Sequence, residues 1–328
     1  MKTKILYVLV STEQDIFAEQ TYLSILSLRK HNNSSSVSLI MDNKTALSLK
    51  ERAFDLVSMV DEPIVVDLPD EMTNKYKSRV LKTNMRNYIE GDFLYVDSDT
   101  IILTDLTEID NEQSDMAAVY EYNRSFKENT NKKTLKEIYK RLGQDIEHIS
   151  EYFNSGVIYV KDNSHTREFF SEWHHEWEKG TKKGVFFDQP SLGIVNLQKR
   201  GFITALDGIW NCQGRYCSNY VKDAKIYHYL FDKGFSHPLL KRDAFLELKE
   251  EGSLNKLMED ALKNPFRCIS PINIIITDSD VIIRGSRLYA TIKSIYGHRL
   301  LYNTIEKLLN GIYSVILKVK KRNLMPPR

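Results

Sequence analysis

Proline and glycine are scarce in this chain, at 8 and 14 of 328 residues. Collagen-like repeats and linker-rich architectures are thereby excluded. Cysteine is scarcer: Cys212, Cys217 and Cys268 are all there are. Three is too few, and too odd a number, for a disulfide framework, so a reducing compartment is expected. Cys212, Cys217 and His228 do not have the spacing of a zinc site. No stretch approaches the roughly 18 consecutive apolar residues of a membrane span. The first apolar run, Ile5 to Val10 behind Lys2 and Lys4, is too short for a secretion leader and reads as a buried strand. A large net charge is missing too. The balance is +2, with no basic stripe along the main body, which argues against a nucleic-acid partner.

What is present is ordinary for a globular protein: 42% hydrophobic and 27% charged residues, far from a disordered composition. The charge is uneven. Val281 to Arg328 holds ten Lys or Arg against the single acid Glu306, so that segment carries +9 and the remainder −7.

Along the chain, short apolar runs alternate with helical periodicities. Ile5–Val10, Val37–Met41, Ile64–Leu68 and Phe93–Val96 are expected strands. Helices are expected over about Asp15–Lys30, Thr45–Phe54 and Tyr76–Ile89, the first opened by a Thr12/Asp15 capping box. Later come a strand over Tyr152–Val160, a helix over Thr166–Trp177, and a short strand over Ile226–Leu230 with His228 inside it. Alternation of this kind predicts an α/β fold with a mostly parallel sheet covered on both faces. Ligands then sit at the carboxyl ends of the strands, where Ser11, Asp42 and Asp97 fall. The catalytic domain is expected to span residues 1–250. Residues 251–328 form a C-terminal extension.

Asp97-Ser98-Asp99 follows the Phe93–Val96 run directly. Carboxylates at i and i+2 of extended chain point to the same side, so both can reach one cation. Oxygen ligands suit Mg²⁺ or Mn²⁺, and a histidine beside them favours Mn²⁺. The tripeptide alone does not decide, because Asp278-Ser-Asp280 repeats it after another apolar run. His174 and His175 lie in an amphipathic helix without metal-ligand spacing and read as surface residues.

The surroundings of the first copy resemble a known family. Ser78-Arg-Val-Leu-Lys82, Phe93-Leu-Tyr-Val-Asp-Ser-Asp-Thr-Ile101, Tyr152-Phe-Asn-Ser-Gly-Val157, Phe187-Asp-Gln189, Trp210-Asn211 and Tyr227-His228-Tyr229 occur in the order found in family 8 glycosyltransferases. Bacterial lipopolysaccharide galactosyl- and glucosyltransferases and glycogenin are relatives of this kind. The resemblance covers roughly residues 3–240 and implies the GT-A fold, a Rossmann-like nucleotide-diphospho-sugar transferase domain. It implies that Asp97, Asp99 and His228 bind Mn²⁺, and that Ser11 and Thr12 line the nucleotide pocket. It further implies that Arg79, Lys82, Ser98, Asn154 and Asp188 contact the donor. Gln189 would lie beside the anomeric carbon and Asn211 on the acceptor side. The family's Gly and Lys-Pro-Trp segment after the histidine is replaced by Leu230-Phe-Asp-Lys-Gly-Phe-Ser-His-Pro-Leu239. There Gly234 and Pro238 take similar places, and Lys233 or His237 could replace the lost positive charge.

The reaction implied is transfer of a hexose from a UDP-sugar to a glycan or lipid-linked acceptor with retention, in surface polysaccharide or lipopolysaccharide synthesis. A two-step route needs a carboxylate nucleophile. Asp188 is the obvious one, but it is better suited to binding hydroxyls, so front-face attack is favoured. A catalytically inactive nucleotide-sugar-binding protein is the alternative. Ile292–Lys321, with Lys318, Lys320, Lys321 and Arg322 at its end, reads as a basic amphipathic helix suited to an anionic membrane surface. A cytoplasmic enzyme, peripheral on the membrane, is expected.

Overall fold

A computed structural model describes residues 1–129, 131–145, 149–214, 216–217, 219–230 and 242–264, with short pieces at 274–276 and 281–283 and a few residues between 300 and 312. Strands β1 (Lys4–Leu9), β2 (Val37–Asp42), β3 (Glu62–Val66), β4 (Phe93–Val96), β6 (Met116–Tyr120), β7 (Phe153–Val160) and β8 (Thr204–Ala205) form one sheet in the order β3-β2-β1-β4-β7-β6-β8. The pairs β3–β2, β2–β1, β1–β4 and β6–β8 are parallel, while β7 runs antiparallel to β4 and β6.

The continuous apolar runs are explained by burial on both faces. Every residue of β2, β4 and β7 is buried. Ile5, Tyr7 and Leu9 of β1 enter one core with Ala18, Ile25 and Leu28 of α1 (Phe17–His31). Leu6, Val8 and Val10 enter the other, with Leu81 of α3 (Asn74–Thr83), Phe169, Phe170 and Trp173 of α5 (Ser164–Lys182), and Leu192 of α6 (Asp188–Gln198). Strand β3 alternates between half-buried and exposed and carries Pro63, which an edge strand tolerates.

A two-stranded sheet pairs β5 (Thr100–Ile102) with β9 (Ile226–His228). Around it, a third apolar cluster joins Leu23, Ile101 and Tyr227 to Phe245 and Leu248 of α7 (Arg242–Glu251) and Met258 of α8 (Lys256–Lys263). Helix α8 lies beyond residue 250, so apolar packing continues past the expected boundary. Asp278, Asp280 and Cys268, the 231–239 segment with Lys233, Gly234, His237 and Pro238, and most of Ile292–Lys321 lie outside the described residues.

Several expected elements shift. The Tyr76–Ile89 helix stops at Thr83, followed by a 3₁₀ turn at Met85–Asn87. There Thr83 Oγ1 bonds the Arg79 carbonyl and Asn84 Nδ2 the Val80 carbonyl, side-chain competition that unsettles a helix. His174 Nδ1 caps this junction, 2.7 Å from Thr83 Oγ1, while its ring stays partly exposed at the surface. The strand expected at Ile64–Leu68 sits two residues earlier. No Thr12/Asp15 capping box forms. Instead the Asp15 carboxylate accepts from Thr12 N–H, Ser11 Oγ and Phe17 N–H, tying the β1–α1 turn.

Helix α3 is fixed to the end of β2 by an ion pair, Lys77 Nζ to Asp42 Oδ2 at 2.9 Å, with both side chains at most 2% exposed. Burial raises the Asp42 pKa, but Thr45 and Lys77 outweigh it and leave the carboxyl below its usual range. The stability this contributes is present above the unfolded value of about 3.9 and disappears as pH falls through the lowered one. Lys77→Met leaves that carboxylate buried and unpaired. We expect a loss of about 3–5 kcal/mol at pH 7 by denaturant unfolding, with the deficit shrinking as acid protonates Asp42. A deficit that is the same at pH 7 and pH 3 would show that the pair is not its source.

Candidate active site

The end of β4 and the start of β5 meet at Asp97-Ser98-Asp99. Asp97 N–H bonds the Gly156 carbonyl at 2.7 Å, and Thr100 Oγ1 bonds the Asp97 carbonyl at 2.8 Å. Ser98 Oγ lies 2.7 Å from Thr21 Oγ1 of α1. The β5–β9 register sets Thr100 opposite His228, so an imidazole 129 residues along the chain arrives at Asp99, Nε2 to Oδ1 at 3.1 Å. Among the described residues, Asp97, Asp99 and His228 form a group able to hold a metal ion, one ligand atom from each lying within 4.8 Å of the others. Two ligands at right angles on a small cation bound at about 2.1 Å are about 3.0 Å apart, so the His228–Asp99 spacing fits. Two carboxylates and one imidazole are suitable ligands for a divalent cation.

Glycine at position 156 is what allows the convergence. A Cβ there would lie 2.4 Å from His228 Cε1 and 2.8 Å from both Asp97 Oδ2 and Asn154 Oδ1. Burial lowers the His228 pKa, yet Asp99 and then Asp97 outweigh it and hold the imidazole above its ordinary value.

A second layer of charge surrounds the pair. Lys82, from the last turn of α3, lies 3.0 Å from Asp97 Oδ1 and 3.6 Å from Asp188 Oδ2. Its side chain is 3% exposed, so it is an internal cation between two carboxylates. Arg79 Nε meets Asp188 Oδ1 at 2.8 Å, and Ser155 Oγ donates to Asp188 Oδ2 at 2.8 Å. Burial raises the Asp188 pKa, but Lys82, Arg79 and Ser155 together draw it far below the usual carboxylate range. Arg79 is raised in return, mainly by Asp188. The Tyr95 hydroxyl also donates to Asp97 Oδ1.

A cavity of about 490 Å³ opens beside the pair. Phe17, Gln20, Lys75, Ser78, Arg79 and Ser98 help to line it, with Asp97, Asp99 and the backbone stretch Val8–Val10. Ser11 and Thr12 were expected there. Their hydroxyls instead bond Asp15, and they are not among the residues lining it. Asn211 was expected on the acceptor side. It is 0% exposed, with its amide held between His228 Nδ1 and Asn154 Oδ1, so it belongs behind the metal-ligating group. Gln189 Oε1 lies 3.4 Å from Ser155 N–H. Cys212 and Cys217 take no part in the described metal-ligating group, and burial pushes the Cys212 thiol up to about 12.

Glu121 escapes a reading by motif. Its half-buried carboxyl accepts from Asn154 Nδ2 at 2.7 Å. Burial raises its pKa, opposed by hydrogen bonds from Asn154 and Gln189. The available signal was positional: Glu121 follows Met116–Tyr120 as Asp97 follows Phe93–Val96.

Two carboxylates and an imidazole beside a cavity at the strand ends of a mostly parallel sheet form a site able to hold a metal ion in an α/β domain. The description "Glycosyl transferase family 8" matches residues 9–232. No curated protein matches the chain in sequence. Among solved structures, an active-site mutant of LgtC is 14% identical, with a TM-score of 0.52 over 80% of this chain and 100% of that one. The galactosyltransferase LgtC with donor and acceptor sugar analogues is 13% identical, with a TM-score of 0.49 over 79% and 99%. Mouse xyloside xylosyltransferase 1 is 13% identical, with a TM-score of 0.47 over 70% and 98%. The chain belongs to glycosyltransferase family 8, and the LgtC mutant with the TM-score of 0.52 shares its GT-A fold.

Gly156→Ala should weaken Mn²⁺ binding at least about tenfold, since the added methyl must displace His228 or Asp97. Titration calorimetry reads the affinity, and a thermal melt checks that the fold is kept. Wild-type affinity in a folded variant would mean that the close approach at this position is not needed.

Proposed function

We propose that this glycosyltransferase moves a hexose from UDP-glucose or UDP-galactose to a glycan or lipid-linked acceptor, with retention at the anomeric carbon, in surface polysaccharide or lipopolysaccharide synthesis. The observation that carries the reading is the convergence of His228 on Asp97 and Asp99, which line a cavity together with Arg79. These three residues would hold Mn²⁺ or Mg²⁺, which when bound supplies Lewis-acid stabilisation of the charge that grows on the departing diphosphate.

The chain's own groups supply position and counter-charge. Arg79 reaches from α3 into the cavity, where its guanidinium suits phosphate or sugar oxygens. Ser98 lines the same wall. Asn154 keeps one amide N–H beyond its bond to Glu121, which suits a sugar hydroxyl. Asp188 is paired on both oxygens, to Arg79 on one side and Ser155 and Lys82 on the other. A carboxylate so held is suited to orienting the donor and poorly suited to nucleophilic attack, which favours front-face transfer with Gln189 beside the anomeric carbon.

Screening UDP-sugars with Mn²⁺ for UDP release tests the reading. Asp99→Ala should lose at least about 100-fold in turnover. Intact-mass spectrometry under single turnover should detect no glycosyl adduct on Asp188. A wild-type protein that binds UDP-sugar but releases no UDP with any donor and acceptor would favour the inactive binding protein.

The basic end of the chain further suggests peripheral attachment at the cytoplasmic face of a membrane. Among the described residues no helix is long and apolar enough to cross one. Replacing Lys318, Lys320, Lys321 and Arg322 with Gln in the full chain should abolish co-sedimentation with vesicles containing anionic lipid. Unchanged sedimentation would remove the membrane assignment.

A further inference from the structure

A neutral imidazole can bind a cation only through the nitrogen that lacks hydrogen. Which nitrogen that is in His228 follows from a chain of hydrogen bonds that begins at a group with a fixed role. Gly156 N–H can only donate, and it lies 2.9 Å from the Asn154 side chain. The Asn154 atom there must be Oδ1, the amide oxygen. Its Nδ2 then faces a carboxylate oxygen, Glu121 Oε2, at 2.7 Å, as a donor should. The same Asn154 oxygen lies 2.8 Å from the Asn211 amide, so the Asn211 atom there is Nδ2. That leaves Asn211 Oδ1, which can only accept, 3.0 Å from His228 Nδ1. Nδ1 therefore carries a hydrogen. Nε2 faces the Asp99 carboxylate, which also accepts, so without a cation the two acceptors compete for the hydrogen of a neutral ring. With a cation beside Asp99, the lone pair of Nε2 becomes its ligand and the hydrogen belongs on Nδ1.

We propose that Asn211, oriented by Asn154 and the Gly156 N–H, is a positioning residue that fixes the His228 tautomer and reserves Nε2 for the cation. The inference rests on the reading of Asp97, Asp99 and His228 as a metal site. Burial gives the relay its force. Asn211, Asn154 and His228 are 0%, 5% and 2% exposed, so bulk water does not replace a lost partner. With an apolar side chain at position 211, the neutral ring would gain more by placing its hydrogen on Nε2, where Asp99 accepts it. The ligand atom would then be occupied, and a cation would have to displace that hydrogen. Outer partners of a ligating histidine commonly contribute 10–100-fold to metal affinity through this control of tautomer and ring direction.

The test uses the full chain, ¹⁵N-labelled at histidine and loaded with Mg²⁺, a diamagnetic divalent cation. Long-range ¹H–¹⁵N spectra of wild type should show His228 protonated at Nδ1. A ring protonated at Nε2 overturns the proposal without any variant. Asn211→Leu should move the hydrogen to Nε2 and weaken Mn²⁺ binding about 10–100-fold, read from the paramagnetic resonance of free Mn²⁺. Asn211→Gln keeps an amide oxygen for Nδ1 and an amide donor for Asn154 without adding charge, and should retain the wild-type tautomer and more of the affinity than Asn211→Leu. An Asn211→Leu protein that binds Mn²⁺ as tightly as wild type also overturns it. Failure of the wild type to bind Mn²⁺ would instead count against the metal site itself, and the spectrum would still report the tautomer.

Discussion

Crowding of negative charge is the constraint around which this site is built. Asp97, Asp99 and Asp188 gather at one end of the sheet, and like charges gathered there repel one another. The chain answers with cations from one short helix: Arg79 on Asp188, and Lys82 between Asp188 and Asp97. Helix α3 must therefore lie against the end of β4, and its anchoring to β2 through Lys77 and Asp42 keeps it there. Asp97 and Asp99 then remain as the pair that faces the cavity and, with His228, could hold a cation.

Much of the fold was legible because buried parallel strands write themselves as unbroken apolar runs. Ile5–Val10, Val37–Met41 and Phe93–Val96 are such runs, and the strands lie there to within a residue or two. Helix ends were harder to place. Thr83 and Asn84 sit inside a helical periodicity, and it is their bonds to carbonyls one turn back, together with His174 from a distant helix, that close α3. Strand β6 left a weak trace, since Met-Ala-Ala-Val-Tyr carries little bulk and its burial comes from the neighbours β7 and β8.

The candidate site divides in the same way. Asp97 and Asp99 were visible as an acidic pair at a strand end, and Asp188, Gln189 and His228 through family resemblance. The convergence of His228 on Asp99 depends on the β5–β9 register, which no local pattern in Ile226–His228 encodes. The burial of Asn211 and Lys82 is likewise a property of packing: an amide or an ammonium reads identically in sequence whether it meets solvent or a carboxylate. The hydroxyls of Ser11 and Thr12 are turned to Asp15 for a local reason, because Asp15 is close enough in the chain to capture both.

Lys82 carries a chemical implication of its own. A primary amine near an activated sugar is a rival to any hydroxyl acceptor, since a free amine is the stronger nucleophile. Lys82 Nζ donates to Asp97 at 3.0 Å and lies 3.6 Å from Asp188, and its side chain, 3% exposed, is withdrawn behind the carboxylates. The residue that neutralises the site is thus also kept from competing with an acceptor hydroxyl.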